Sequence, residues 1–252
     1  MKIQLASDLH LELQHNKEYL KLNPIKPIGD VLILAGDIVP FSIMEKHQDF
    51  FDYVSSNFKQ TWWLPGNHEY HRSDIKDRSG TVKEQIRPNL HLVNNITIFY
   101  NNIRLLFSTL WSRIDPGFEW EIEKNINDFH LIKYNGIRLN ANDYNQLHSE
   151  SLEFLKNELK EKSFSKTVVI THHVPTFQNY PEEYANSNLN GAFGTELSEL
   201  ISGSLAECWI HGHTHFNVPE YYIGKTKILT NQLGYVEYGE NKSYNSGKVA
   251  KV

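Results

Sequence analysis

Five short apolar runs in this chain end in the same narrow set of polar residues, and that repetition restricts the fold more than any other feature. Ile3-Gln4-Leu5-Ala6 ends at Asp8, Val31-Leu32-Ile33-Leu34-Ala35 at Gly36-Asp37, and Thr61-Trp62-Trp63-Leu64 at Gly66-Asn67-His68-Glu69. Val168-Val169-Ile170-Thr171 ends at His172-His173, and Cys208-Trp209-Ile210 at His211-Gly212-His213-Thr214-His215. Runs of apolar and β-branched residues bounded by glycine or polar groups read as buried strands. Helical patterns lie between several of them. Apolar residues at Met44, Phe50, Phe51, Val54 and Phe58 predict a helix over 44–58, and Tyr144, Leu147, Leu152, Leu155 and Leu159 predict one over 142–159. Thr81-Val82-Lys83-Glu84 has capping-box spacing and predicts a short helix that Pro88 stops. Two hairpins are predicted, 96–100 with 103–108 across Asn101-Asn102, and 221–223 with 226–230 across Gly224-Lys225. Strands alternating with helices, plus hairpins, imply an α/β fold with mixed sheets. No repeat or low-complexity linker divides 1–252, so one domain is expected. The stretches 111–138 and 174–194 lack clear periodicity and read as functional or mobile loops.

A chain of 252 residues can bury a real core without covalent staples. Its single cysteine, Cys208, excludes an intrachain disulfide and a cysteine-rich zinc site, and reads as a small buried hydrophobe. No apolar run approaches the ~18–20 residues that cross a bilayer. The first ten residues are too short and polar for a signal peptide, so a soluble, cytoplasmic protein without a membrane partner is expected. The net charge of −5 and the lack of lysine and arginine clusters disfavour long nucleic acid as a partner.

The strand-end residues carry the chemistry. In α/β sheets, ligands bind beyond the carboxyl ends of the strands, so segments distant in sequence can deliver side chains to one point. Asp8 and His10 are two residues apart, as are His213 and His215, so each pair faces one way in an extended strand end. Gly36 lets Asp37 turn tightly and approach closely. Asp8, His10, Asp37, Asn67, one of His172 or His173, His213 and His215 make seven ligands. That number is too large for one first-row ion and suits two with a shared carboxylate. Imidazole, carboxylate and amide donors without thiolate favour manganese, iron, zinc or nickel.

Taken in order, Asp8-Leu9-His10, Gly36-Asp37, Gly66-Asn67-His68-Glu69, Thr171-His172-His173 and Gly212-His213-Thr214-His215 resemble the five motifs of the calcineurin-like metallophosphoesterases. Ser7 to Glu12, Thr109-Leu110-Trp111, Asn127-Asp128-Phe129 and Trp209 to His215 are further similar to a branch of small bacterial members of uncertain substrate. The resemblance implies a four-layer α-β-β-α sandwich of two mixed sheets with a dinuclear metal site at the strand ends. It implies that Asp8, His10 and His215 hold one divalent ion, Asn67, His172 and His213 a second, and that Asp37 bridges them. His172 is chosen over His173 as the first residue past its strand. His68 resembles the histidine that approaches the leaving group or a phosphoryl oxygen. The sequence departs from the family at Asn231-Gln232-Leu233-Gly234-Tyr235, where proline and a basic residue are expected after the asparagine.

The implied activity is metal-dependent hydrolysis of a small phosphate ester, monoester or diester, by attack of a metal-activated water, with manganese as the first choice of ion. The competing readings are a binding or scaffold protein of the same fold and a metal-dependent hydrolase of other esters. His211 is expected to orient a ligand. His15, His47, His71, His91, His130 and His148 are expected as solvated or locally bonded side chains. Trp62, Trp63, Trp111 and Trp209 are expected in the core. Phe177, Tyr180 and Tyr184 are candidates to shape a substrate pocket.

Overall fold

The computed structural model describes every residue except 163 and 165. In chain order its regular elements are β1 (Lys2–Ala6), α1 (Gln14–Leu22), β2 (Val31–Ala35), α2 (Gln48–Asn57), β3 (Gln60–Leu64), β4 (Val82–Arg87), β5 (Leu90–Asn94), β6 (Ile96–Tyr100) and β7 (Ile103–Ser108). There follow α3 (Glu119–Asn125), α4 (Asp128–Leu131), β8 (Lys133–Tyr134), β9 (Ile137–Arg138), α5 (Ala141–Lys160), β10 (Thr167–Thr171), α6 (Ser198–Ser204), β11 (Cys208–Ile210), β12 (Tyr221–Ile223), β13 (Thr226–Leu229) and β14 (Val249–Lys251).

The strands build two six-stranded sheets, ordered β14-β1-β2-β3-β5-β4 and β12-β13-β11-β10-β7-β6. Each has four parallel strands at its centre and an antiparallel strand on either edge. A central parallel strand is buried on both faces, which is why β2 is apolar throughout. Its Val31, Ile33 and Ala35 join Leu64, Leu105, Phe107, Val168 and Ile170 in the layer between the sheets. Leu32 and Leu34 turn the other way, with Trp63, against Phe51 and Val54 of α2. On the far side, Val169, Trp209 and Ile228 pack against Leu155 and Leu159 of α5 and Ile201 of α6. The layers are therefore helix, sheet, sheet, helix, an α/β sandwich of two mixed sheets. Trp62, Trp63, Trp111 and Trp209 are all buried, as is Cys208.

All five apolar runs form strands, and both hairpins form where expected. The 142–159 pattern becomes α5, whose Asn140 side chain accepts the Asp143 backbone N–H. The 44–58 pattern divides into a 3₁₀ turn (Phe41–His47) and α2. The capping-box expectation fails: residues 82–87 are a strand, β4, paired antiparallel with β5. No helical apolar stripe follows Thr81, exposure alternates along Lys83, Glu84 and Gln85, and Glu84 pairs with Arg78 at 2.7 Å instead of capping Thr81. Pro88 turns a hairpin rather than ending a helix. The aperiodic 111–138 stretch is partly regular, holding α3, α4 and the β8–β9 pair. The sequence patterns also miss α1, α6, β5 and β14. No helix among the described residues is long and apolar enough to cross a membrane.

Asn101 and Asn102 both have positive φ, 48° and 63°, as the two-residue β6–β7 turn requires. Asn102→Val places a β-branched residue there and is expected to cost about 1–2 kcal/mol in thermal unfolding, while Asn102→Gly is neutral or stabilising.

Candidate metal centre

Parallel pairing in register carries the candidate residues to one edge. β1, β2 and β3 run side by side, with Ala6 opposite Leu34 and Ala35 opposite Leu64. Asp8, His10, Asp37 and Asn67 therefore emerge together from the first sheet. β10 and β11 pair Ile170 with Ile210 and release His172, His213 and His215 from the second. Hydrogen bonds stitch the sheets at this edge, among them two made by the candidate residues themselves. The His213 backbone N–H donates to Asp8 Oδ1 at 3.0 Å, and His172 Nδ1 donates to the Ala35 carbonyl at 2.9 Å. Asp8, His10, Asp37, His213 and His215 all have φ between 47° and 83°. Left-handed backbone at non-glycine residues costs on the order of 1 kcal/mol each, and its concentration here marks a site held in place by its surroundings.

The donor atoms of the candidate ligands fall into two overlapping groups, and His10, Glu12 and His68 make a third cluster beside them. Asp8, His10, Asp37 and His215 each bring one ligand atom within 4.8 Å of the others, and so do Asp37, His172 and His213. Asp37 belongs to both. His172 Nε2 lies 3.3 Å from Asp37 Oδ1 and 3.1 Å from Asn67 Oδ1. His173, by contrast, turns its nitrogens to the Thr109 carbonyl and the Tyr144 hydroxyl. Gly66 opens the space between these donors: a Cβ there would lie 2.2 Å from Asp37 Oδ1 and 2.6 Å from His172 Nε2.

The hydrogen bonds behind the imidazoles fix which nitrogen faces inward. His10 Nδ1 meets Glu12 at 3.0 Å, His215 Nδ1 meets Glu240 at 2.7 Å, and His172 Nδ1 meets the Ala35 carbonyl. All three partners are acceptors, so each Nδ1 carries the proton and Nε2 presents its lone pair. His213 Nε2 donates to the Ala192 carbonyl at 3.3 Å, leaving Nδ1 free. Asn67 donates its amide to Asp128 at 2.9 and 3.1 Å, so its Oδ1 also faces inward. Acceptors then face acceptors: His10 Nε2 and His215 Nε2 are 2.9 Å apart, and buried Asp8 Oδ2 has no hydrogen-bond partner. Such a set is complete only around a cation, and its nitrogen and oxygen donors fit divalent metal ions.

The electrostatics express the same demand. Burial would drive the His172 proton off, yet Asp37 holds its pKa up to about 10. Burial would likewise raise Asp37, but His172, His68 and His10 hold it well below the usual carboxylate range. Burial, with the charge of His172 beside it, takes His213 down to about 3 against the opposing pull of Asp37 and Asp128.

The residues that orient the donors, Glu12, Asp128 and Glu240, were not among the candidates. Nor was Glu69, which is fully buried and accepts four N–H groups: those of Asp37 (2.9 Å), Ile38 (2.7 Å) and Gly66 (2.7 Å), and the Trp63 indole (3.0 Å). Glu12, Asp128 and Glu69 lie inside or beside quoted motifs, whereas Glu240 lies far from any and only the fold brings it in. His71, expected as a solvated or locally bonded side chain, is buried, bonds Asp128 at 2.9 Å and lies 4.1 Å from the His68 ring. Among the described residues the His211 ring bonds only the carbonyl of its neighbour Gly212 and reaches no candidate ligand. At the departure from the family pattern, Gln232 accepts the His215 N–H at 2.7 Å and Tyr235 edges the His215 ring at 4.4 Å.

The centre opens into a cleft of about 420 Å³. His68 lies on its wall with Nδ1 3.2 Å from Glu12 Oε1. Tyr180 and Tyr184 line it, while Phe177 stands behind Tyr180 at 5.2 Å.

The family model for calcineurin-like phosphoesterases matches residues 1–217. The chain is 34% identical to uncharacterized protein L509 of Acanthamoeba polyphaga mimivirus, over 92% of this chain and 91% of that one. Among solved structures it resembles the phosphopantetheinyl hydrolase PptH from Mycobacterium tuberculosis, with a TM-score of 0.73 and 16% identity, covering 99% of this chain and 95% of that one. A dimetal phosphatase from Danio rerio aligns with a TM-score of 0.46 and 15% identity over 92% and 87% of the two chains.

Glu69→Ala leaves three backbone N–H groups and an indole N–H without their acceptor. A loss of about 3 kcal/mol or more is expected in urea unfolding, together with weaker uptake of divalent metal measured on the folded variant.

Proposed function

The chain belongs to the calcineurin-like phosphoesterases, and on that premise we propose that it hydrolyses a small phosphate ester at a two-metal centre. The observation that carries the reading is the acceptor-against-acceptor geometry around Asp37. Asp8, His10 and His215 would hold one ion, Asn67, His172 and His213 the other, and Asp37 would serve both. Bound there, two divalent ions, manganese first, would supply an activated water and positive charge at the phosphoryl oxygens.

The chain's own residues do the rest. His68 turns Nδ1 to Glu12, which leaves Nε2 for the leaving-group oxygen. Asp37 and Glu12 raise the His68 pKa to about 9 against the opposing effect of burial, which favours the protonated form. In that form it donates a proton to the departing oxygen. Glu12, which touches both His10 and His68, keeps the proton donor in register with the first ion. Asp128 and Glu240 hold Asn67 and His215 in the orientation binding requires.

The test is hydrolysis of bis(p-nitrophenyl) phosphate by chelator-stripped protein with Mn²⁺ restored, beside Asp37→Asn. Metal-dependent turnover that the variant loses is the expected result. No turnover of diesters or monoesters with manganese, iron, zinc or nickel would leave a binding protein of this fold. His68→Ala is expected to lose about 10²–10⁴-fold in kcat while retaining its divalent metal by elemental analysis. Severe metal loss in that variant would make His68 a ligand instead. Asp128→Ala is expected to weaken metal affinity about 10–100-fold.

A further inference from the structure

The cleft that leads to the centre is aromatic and acidic, and none of its described lining residues is a lysine or arginine. Phe193 lies 5.0 Å from the His213 ring at a shallow angle, Tyr235 edges His215 and His10, and Tyr180 and Tyr184 form the outer wall. Asp8, Glu12, Asp37, Asp128 and Glu240 surround the inner end, and Glu182 and Glu183 stand exposed beside Tyr184 at the mouth.

Charge then limits the substrate. Two divalent ions would bring four positive charges against five carboxylates, and His68 adds at most one. No positive charge is left in surplus and no lysine or arginine lines the cleft, so each negative charge of a substrate adds repulsion, and a phosphomonoester or a polyphosphate brings more of it than a diester. A phosphodiester carries a single charge and has a second ester arm to bury. The aromatic walls offer that arm flat apolar faces, to which a planar ring adds stacking contacts. Asn127, exposed on the same wall, can meet a polar edge of such a ring.

We propose that the substrate is a small, singly charged phosphodiester with a planar aromatic arm lodged between the tyrosines and Phe193, and that phosphomonoesters are disfavoured by charge. This rests on the phosphoesterase reading above. The hydrolysis itself is balanced by water: a P–O bond forms to the water oxygen, the P–O bond to the leaving group breaks, and the proton passes to the departing oxygen.

The experiment uses three substrates with one leaving group: phenyl p-nitrophenyl phosphate, methyl p-nitrophenyl phosphate and p-nitrophenyl phosphate. At pH 8, kcat/KM is expected to fall in that order. The monoester should trail the methyl diester by about tenfold or more, the order of effect of one extra charge in a like-signed, partly desolvated cleft. Tyr184→Ala, at a half-exposed position, should narrow the phenyl-over-methyl advantage, and Asn127→Arg should raise monoester turnover relative to diester. Calorimetric titration of the metal-loaded protein should show diphenyl phosphate binding more tightly than phenyl phosphate. A monoester that equals the methyl diester overturns the charge argument, and a phenyl diester no better than the methyl one overturns the aromatic arm. Failure of all three substrates with every divalent ion removes the phosphoesterase reading, and this proposal with it.

Discussion

The Glu69 carboxylate joins the two loops on which the centre depends. Its four hydrogen bonds take donors from the turn after β2, the turn after β3 and the indole of β3 itself. Each of these backbone groups lies where a parallel strand has ended and its ladder partners have run out, and water does not reach them. A buried N–H without a partner costs about 1–3 kcal/mol, so the turns adopt the one geometry that lets a single carboxylate serve them. That geometry directs Asp37 and Asn67 into the same space. The His68 N–H then bonds Asp37 Oδ1 at 2.9 Å, which locks the second turn to the first.

The second sheet is held to this frame by polar bonds as well as by packing. The bond from His172 to the Ala35 carbonyl and that from the His213 N–H to Asp8 cross between the sheets at their strand ends. The apolar layer between the sheets gives them their mutual attraction through non-directional burial. The directional bonds select one alignment. An imidazole that fixes the sheets through Nδ1 has its Nε2 set by the same act, so architecture and ligand orientation are a single constraint.

This division explains the charge of the site. Orientation of the inward donors is delegated to carboxylates: Glu12 for His10, Asp128 for Asn67, Glu240 for His215. Carboxylates make good acceptors for imidazole and amide N–H groups, and they add negative charge around a donor set that fits divalent cations. The described cleft walls carry tyrosine and phenylalanine and no lysine or arginine, which is the basis of the proposed preference for a singly charged substrate.

The strands and the candidate ligands were legible in the sequence for a local reason. A strand buried on both faces must be apolar throughout, and the polar residue that ends it stands out against the run. The hairpin at Asn101-Asn102 was legible because its backbone demands residues that tolerate positive φ. The capping-box reading of residues 81–84 failed because four residues cannot show whether an apolar stripe will have a helix or a paired strand to pack against. The amino-acid order by itself determined which side chains would stand at the strand ends and what chemistry they carry. Only the tertiary structure decided that His173 turns to Tyr144 and Thr109, that Glu240 backs His215, and that no lysine or arginine stands among the described residues lining the cleft. Those outcomes depend on the positions of chain segments up to about two hundred residues apart, fixed by burial and hydrogen bonding that no local pattern records.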